Sequence, residues 1–353
     1  MSGNSFGPKR LTVELTNICN LHCSYCLRDE DALYHTPANF FSPELLSRIL
    51  RQARDVMGIT AVVFTGGEPT LHPAFEKILE VCEANGLTVS FVTNGWHFEK
   101  LWPTVVAHRN AITHIAFSLD GVTAETHDAW RGEGSFVRLV RAFSRCFAAK
   151  VPFVVKVGVR RDTIQNLEQI ALFCARLGAS ALNFGHIMPT SDEVEDAYAL
   201  SYAERERADQ EIANLSRIFK MKIGIDVGYH NLDVSTPCAA LAGTNCNIDY
   251  RGRLSLCCNL SGFRGSSSES DVVADLAQED FASAYARLSK LASNQLQARR
   301  MRLEAISDHD AIVDQYVSSP CLFCLDTFGK LPWRSKSAST GTESRSLPVL
   351  SSF

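Results

Sequence analysis

The stretch Arg10-Leu-Thr-Val-Glu-Leu-Thr-Asn-Ile-Cys-Asn-Leu-His-Cys-Ser-Tyr-Cys26 decides how this sequence is read. Residues 10–15 read as a short β-strand. Directly after it come Cys19, Cys23 and Cys26, spaced C-x3-C-x2-C. Three thiolates can hold three irons of a cubane and leave the fourth open to chelate a ligand, whereas four would close it. The competing reading is zinc, which takes four ligands and would count His22 among them. His22 immediately precedes Cys23, an awkward arrangement around one tetrahedral ion.

Outward from this motif, β-rich runs alternate with amphipathic helical patterns. Strands are expected at 60–65, 87–93, 112–119, 152–159 and 181–184, and helices at 73–84, 134–149, 165–177 and 202–220. An earlier helix opens at Ser42 with Pro43 in its first turn and Leu45, Leu46, Ile49 and Leu50 on one face. Strands alternating with helices predict a parallel sheet with helices outside. Six such units give the expected fold class, α/β with a partial (β/α)6 parallel barrel. Its chemistry belongs at the C-terminal ends of the strands. Three segments are expected: a core at 1–225, a small C-terminal hairpin-plus-helix domain at 226–334, and a disordered tail rich in Ser and Thr at 335–353.

At 46% hydrophobic and 21% charged residues, the composition is that of an ordinary globular protein. A formal net charge of −4 gives no electrostatic case for nucleic acid. No run is long and apolar enough to span a membrane, and residues 1–10 lack the apolar stretch of a secretory signal, so the expected compartment is cytoplasmic. Twelve cysteines are many for a reducing compartment, where clustered thiols point to metal or redox chemistry. Cys82, Cys146 and Cys174 stand alone in helical patterns and read as small core residues.

These features together resemble the radical S-adenosylmethionine (SAM) superfamily. Tyr25 fills the aromatic slot before the last cysteine, where family members pack the adenine. Thr65-Gly-Gly-Glu-Pro69 ends the second strand, where the family's loop binds the SAM amino group, implying roles for Gly66, Gly67 and Glu68. Asn94 in Thr93-Asn-Gly95, Ser118 and Asp120 in Phe117-Ser-Leu-Asp-Gly121, and Arg160 after the fifth strand resemble SAM-proximal positions. His127-Asp-Ala-Trp-Arg-Gly-Glu-Gly-Ser-Phe136 resembles a stretch common in members with an auxiliary cluster. The resemblance implies that a 4Fe–4S cluster on Cys19, Cys23 and Cys26 gives one electron to SAM. SAM then splits to methionine and a 5′-deoxyadenosyl radical, which removes a hydrogen atom from a substrate. A flavodoxin- or ferredoxin-type electron donor follows from the same likeness.

A second cysteine group lies further on. Cys238 and Cys257 flank a strand–turn–strand at 248–256 with Gly252 at its turn, and Cys321-Leu-Phe-Cys324 adds a C-x2-C pair. Spacing alone leaves an Fe–S cluster and a structural zinc both open. The arrangement resembles the Twitch form of the family's SPASM auxiliary region. That implies one additional 4Fe–4S cluster on Cys238, Cys257, Cys321 and Cys324. Cys258 is an alternative to Cys257, because adjacent strand residues face opposite ways, and Cys246 is surplus. Between the halves, a helix at 281–304 carries Arg287, Lys290, Arg299, Arg300 and Arg302 with no acid from 286 to 303. It reads as a solvated face or a surface for an acidic partner.

The leading functional expectation is an oxidative or bond-forming step in biosynthesis on a small-molecule or peptide substrate that the sequence does not name. Only eighteen residues precede Cys19, which weighs against peptide or protein maturation without removing it as the second reading. A non-catalytic Fe–S or zinc binding module is the third, and it would form no 5′-deoxyadenosine.

Overall fold

A computed structural model describes residues 9–305 and 315–337. The expected tail lies outside the described residues from 338 onward. The first strand, β1 (Arg10–Glu14), leads through the cysteine loop to α1 (Pro43–Met57). Ser42 starts α1 by accepting from the Glu44 and Leu45 amides, and Gly58 ends it at φ 69°. There follow β2 (Ala61–Thr65), α2 (Phe75–Ala84), β3 (Thr88–Thr93), α3 (Phe98–Ala107), β4 (Ile112–Leu119), α4 (Ala124–Arg131), α5 (Ser135–Ala148), β5 (Phe153–Val159), α6 (Leu167–Arg176) and β6 (Ala181–His186). α7 (Asp192–Tyr198) and α8 (Tyr202–Ile218) lead to β7 (Lys222–Val227).

Strands β1 to β7 pair in parallel in sequence order. One face of the sheet is apolar. Leu11, Val13, Phe64, Phe91, Phe117, Phe153, Val155 and Phe184 are fully or almost fully buried in a single core with the helices. Alternation sends the other residues to the inner face of the curved sheet. There Thr12, Glu14, Ser90, Ser118, Lys156 and Asn183 replace the apolar set. This two-sided pattern makes a helix-wrapped half-barrel with a polar inner wall. It is the expected α/β partial barrel, with a seventh parallel strand added. β7 escapes sequence reading because it is a half-exposed edge strand with Gly224 at its centre.

The C-terminal region extends the same sheet. β8 (Asn245–Ile248) lies parallel to β1 in the register Arg10↔Asn245 to Val13↔Ile248. β9 (Arg253–Ser255) and β10 (Val272–Asp275) continue it antiparallel, giving ten strands in the order β10-β9-β8-β1-β2-β3-β4-β5-β6-β7. The expected boundary at 225/226 falls inside β7. The long helix α9 (Phe281–Glu304) packs on α1, and α10 (Gln315–Ser318), α11 (Pro320–Thr327) and α12 (Pro332–Ser337) complete the described chain. Cys82, Cys146 and Cys174 are buried core residues. No helix among the described residues is long and apolar enough to cross a membrane.

Candidate active site

Cys19, Cys23 and Cys26 occupy the loop that leaves the C-terminal end of β1. The loop is pinned from several sides. Tyr34 donates its hydroxyl to the Leu21 carbonyl at 2.6 Å and stacks on His22 at 3.9 Å. Asn17 donates to the Ala32 carbonyl at 2.6 Å and accepts from the Asn39 amide at 2.7 Å. Gly67 and Glu68 donate their amides to the Thr16 and Ile18 carbonyls at 2.9 and 2.8 Å. A Cβ on Gly67 would stand 1.9 Å from the Ile18 oxygen. The glycine pair is therefore required first by backbone pressed against backbone, rather than by a ligand alone. Burial pushes the Cys19 thiol up to about 12, and Cys23 upward as well. Among the described residues no three His, Cys, Asp or Glu side chains gather as one metal ion would need, and His22 is engaged with Tyr34. Three thiols on one loop without a fourth protein ligand form the donor set that suits a cluster with one open iron.

Glu68, after β2, is 2% exposed and collects hydrogen bonds rather than awaiting them. Oε1 accepts from the hydroxyls of Thr93 (2.8 Å) and Thr70 (2.6 Å), and Oε2 from the Asn94 amide (2.7 Å). Burial pushes its carboxyl upward, opposed by these donors. Glu68 thereby locks the loops after β2 and β3 together. The anchored Asn94 sets its side-chain amide 3.1 Å from Asn20 Oδ1 and 4.0 Å from Cys19 Sγ.

Asp120, after β4, is the hub of the opposite wall. It is fully buried, accepts from Tyr25 at 2.5 Å and from Arg160 at 2.7 Å, and is ion-paired with Arg131. Burial raises its carboxyl, but Arg131, Arg160 and Tyr25 overcome this and bring it down to about 2. The Asp120 amide donates to His127 Nδ1 at 3.1 Å, and burial lowers His127 to about 4. Arg160 also bonds Asp162 at 2.8 Å and lies 4.0 Å over the Trp130 ring. Its guanidinium is thus committed within the wall, while Ser118 sits one pleat below Asp120 beside Lys156 on β5. The 127–136 stretch is visible as a motif in the sequence, but the parts of His127, Trp130 and Arg131 emerge only in the fold. The available signal was Thr123 capping α4, which sets His127 and Arg131 four apart on one helical face.

In the second cysteine group, several thiols lie within electrostatic reach of one another. Cys238 is an electrostatic neighbour of Cys257, Cys321 and Cys324. The Gly228 amide donates to Cys321 Sγ at 3.4 Å and Gln295 to Cys324 Sγ at 3.5 Å. Cys258 interacts with Cys257 through its thiol and is a neighbour of Cys321, so both adjacent cysteines reach this region. Cys246 does not; it is buried on β8, 4.0 Å from the Met57 sulfur. Two cations of α9 are committed rather than free. Arg299 is buried and donates to the Val317 carbonyl at 3.1 Å, and Arg287 pairs with Glu279 at 2.5 Å.

The chain is similar to several known proteins. The mycofactocin maturase MftC of Mycolicibacterium smegmatis is 30% identical over 270 residues, covering 71% of this chain and 64% of that protein. The AdoMet-dependent heme synthase of Methanosarcina barkeri is 28% identical over 198 residues, 54% of this chain and 55% of that one. The chain therefore spans between about half and two thirds of these relatives. Among solved structures, SuiB of Streptococcus suis bound to S-adenosylmethionine superposes with a TM-score of 0.66 at 16% identity, over 81% of this chain and 68% of that one. SuiB bound to its precursor peptide SuiA superposes at 0.64 and 14% identity, over 89% and 70%. Residues 13–174, which hold the cysteine loop, Glu68, Asn94, Asp120 and Arg160, match the family described as the radical SAM superfamily, and the chain belongs to that superfamily.

Proposed function

We propose that this protein cleaves S-adenosylmethionine reductively and uses the product radical to take a hydrogen atom from an organic substrate. The observation that carries this reading is the convergence on one barrel rim of the three-thiol loop, the Glu68–Asn94 anchor and the Asp120 network. Cys19, Cys23 and Cys26 would hold the 4Fe–4S cluster. Together with SAM, the cluster supplies one-electron cleavage to methionine and a 5′-deoxyadenosyl radical. The protein's own part is position and exclusion of water. Glu68 fixes the Asn94 loop beside Cys19. Asp120, ionised by two arginines, holds Tyr25 against the wall, and the Trp130 and Arg160 stack closes that side.

Cys238, Cys321, Cys324 and Cys257 or Cys258 would hold a second 4Fe–4S cluster, able to take the electron that an oxidative step leaves on the substrate. A flavodoxin- or ferredoxin-type protein would supply electrons to the first. The reaction is an oxidative or bond-forming step in biosynthesis. Peptide maturation is the second reading, supported by two observations: MftC is named a maturase, and SuiB was solved with a precursor peptide.

The test is 5′-deoxyadenosine formation by anaerobically reconstituted protein with a chemical reductant. The wild type is expected to form it and to carry about eight irons. Replacing Cys19, Cys23 and Cys26 together by Ala is expected to abolish formation and leave about four irons. Continued formation in that variant would refute the assignment.

A further inference from the structure

One cation, only 14% exposed, touches both cysteine regions. Arg28 stands two residues beyond Cys26, yet its guanidinium points away from the barrel rim towards the C-terminal region. Nη1 donates to the Cys258 carbonyl at 2.9 Å and also to the Ser261 carbonyl. Nη2 pairs with Glu14 at 2.9 Å, and Glu14 accepts from Asn247 of β8 at 3.0 Å. Around this contact the two loops are stitched backbone to backbone. The Asp29 amide donates to the Gly262 carbonyl at 2.9 Å and the Arg264 amide to the Leu27 carbonyl at 2.8 Å. Arg264 adds a bond from Nη1 to the Ser24 carbonyl at 2.6 Å. The thiols of Cys26, Cys257 and Cys258 all lie within electrostatic reach of Arg28. A charge in a water-poor interior is screened weakly and acts on every redox group near it.

We propose that Arg28 is a positioning residue shared by the two cysteine sites, seating loop 257–261 on the Cys26 loop and lending one positive charge to both. The proposal rests on the reading that each site holds a cluster. A positive charge stabilises the reduced, more negative state of a neighbouring cluster. Loss of Arg28 is therefore expected to lower both midpoint potentials, where a purely mechanical tether would move neither.

The experiment is redox titration, followed by electron paramagnetic resonance, of the full-length reconstituted wild type, Arg28→Gln and Arg28→Lys. Arg28→Gln is expected to shift both potentials negative, while Arg28→Lys keeps both at wild-type values. In metal-free protein, Arg28→Gln is also expected to speed hydrogen exchange in 257–264. Unchanged potentials in Arg28→Gln, or equal shifts in Gln and Lys, overturn the proposal. Should Arg28→Gln fail to fold, Glu14→Gln serves instead. It leaves the Arg28 charge uncompensated and is expected to raise both potentials; no rise overturns the proposal. A wild type that binds no clusters would instead refute the underlying reading, before any variant is compared.

Discussion

Asp120 shows how much a single residue holds in this site. Its carboxylate is the common acceptor for Tyr25, Arg131 and Arg160. Replacing it by Asn takes the shared carboxylate from Arg131 and Arg160, leaving Arg160 only Asp162, and breaking a buried pair from one side costs about 3–5 kcal/mol. Chemical denaturation of Asp120→Asn at neutral pH is expected to show a loss of that order, and a loss under about 1 kcal/mol would contradict the network. The pH dependence follows from the direction of the shift. The folded carboxyl titrates at about 2, below the unfolded value of about 3.9. Its stabilisation is therefore complete above the unfolded value and is lost as pH falls through about 2. The gap between wild type and variant should narrow in that acid window. At this scale the sequence revealed which residues end strands, so Glu68, Asn94, Asp120 and Arg160 could be placed on one rim. It did not reveal their partners. Arg28 and Glu14 meet Cys258 and Asn247 across more than 220 positions of sequence, and no local period encodes such a contact.

Two glycines at element boundaries separate close approach from backbone conformation. Gly58 ends α1 at φ 69° with nothing within 4 Å of a built Cβ, so Gly58→Ala carries only the left-handed penalty of about 1–2 kcal/mol. Gly67 follows β2 outside that region of φ, but its Cβ would meet the Ile18 carbonyl oxygen at 1.9 Å and carbon at 2.4 Å. Gly67→Ala must push the cysteine loop off the β2 loop. It is expected to lose most of the iron of the first site, whereas Gly58→Ala keeps it. Iron per chain and the melting temperature of each variant measure this. Full iron retention in Gly67→Ala would show that the two loops do not depend on each other. Helix α1 and strands β2 to β6 were legible because capping residues and apolar periodicity are local signals. β7 was not legible, because an exposed edge strand with a central glycine has neither strong alternation nor a continuous apolar run.

Across the whole molecule, the C-terminal region shares the core's sheet rather than resting beside it. β8 covers the free edge of β1, and Glu14 reaches through that pairing to Asn247 and Arg28. An exposed edge next to the polar wall would leave unpaired amides and strip the Glu14–Arg28 pair of its Asn247 and carbonyl partners, both costly. α9 adds to the same join, with Phe281 accepting cover from the core and its amide donating to Gln52 of α1 at 3.2 Å. The two cysteine regions should consequently unfold together. Calorimetry of the metal-free full chain is expected to give one transition, with calorimetric and van't Hoff enthalpies in agreement. A chain cut after Val227 exposes β1 and removes the carbonyl partners of Arg28. It is expected to aggregate or to lose cooperative melting. Two resolved transitions, together with a monomeric, cooperatively folding 1–227 fragment, would show instead that the core is complete without its neighbour. In that case β1–β8 pairing would be a docking contact, and the seating of the Cys26 loop would have to come from Tyr34, Asn17 and the Gly66–Glu68 turn alone.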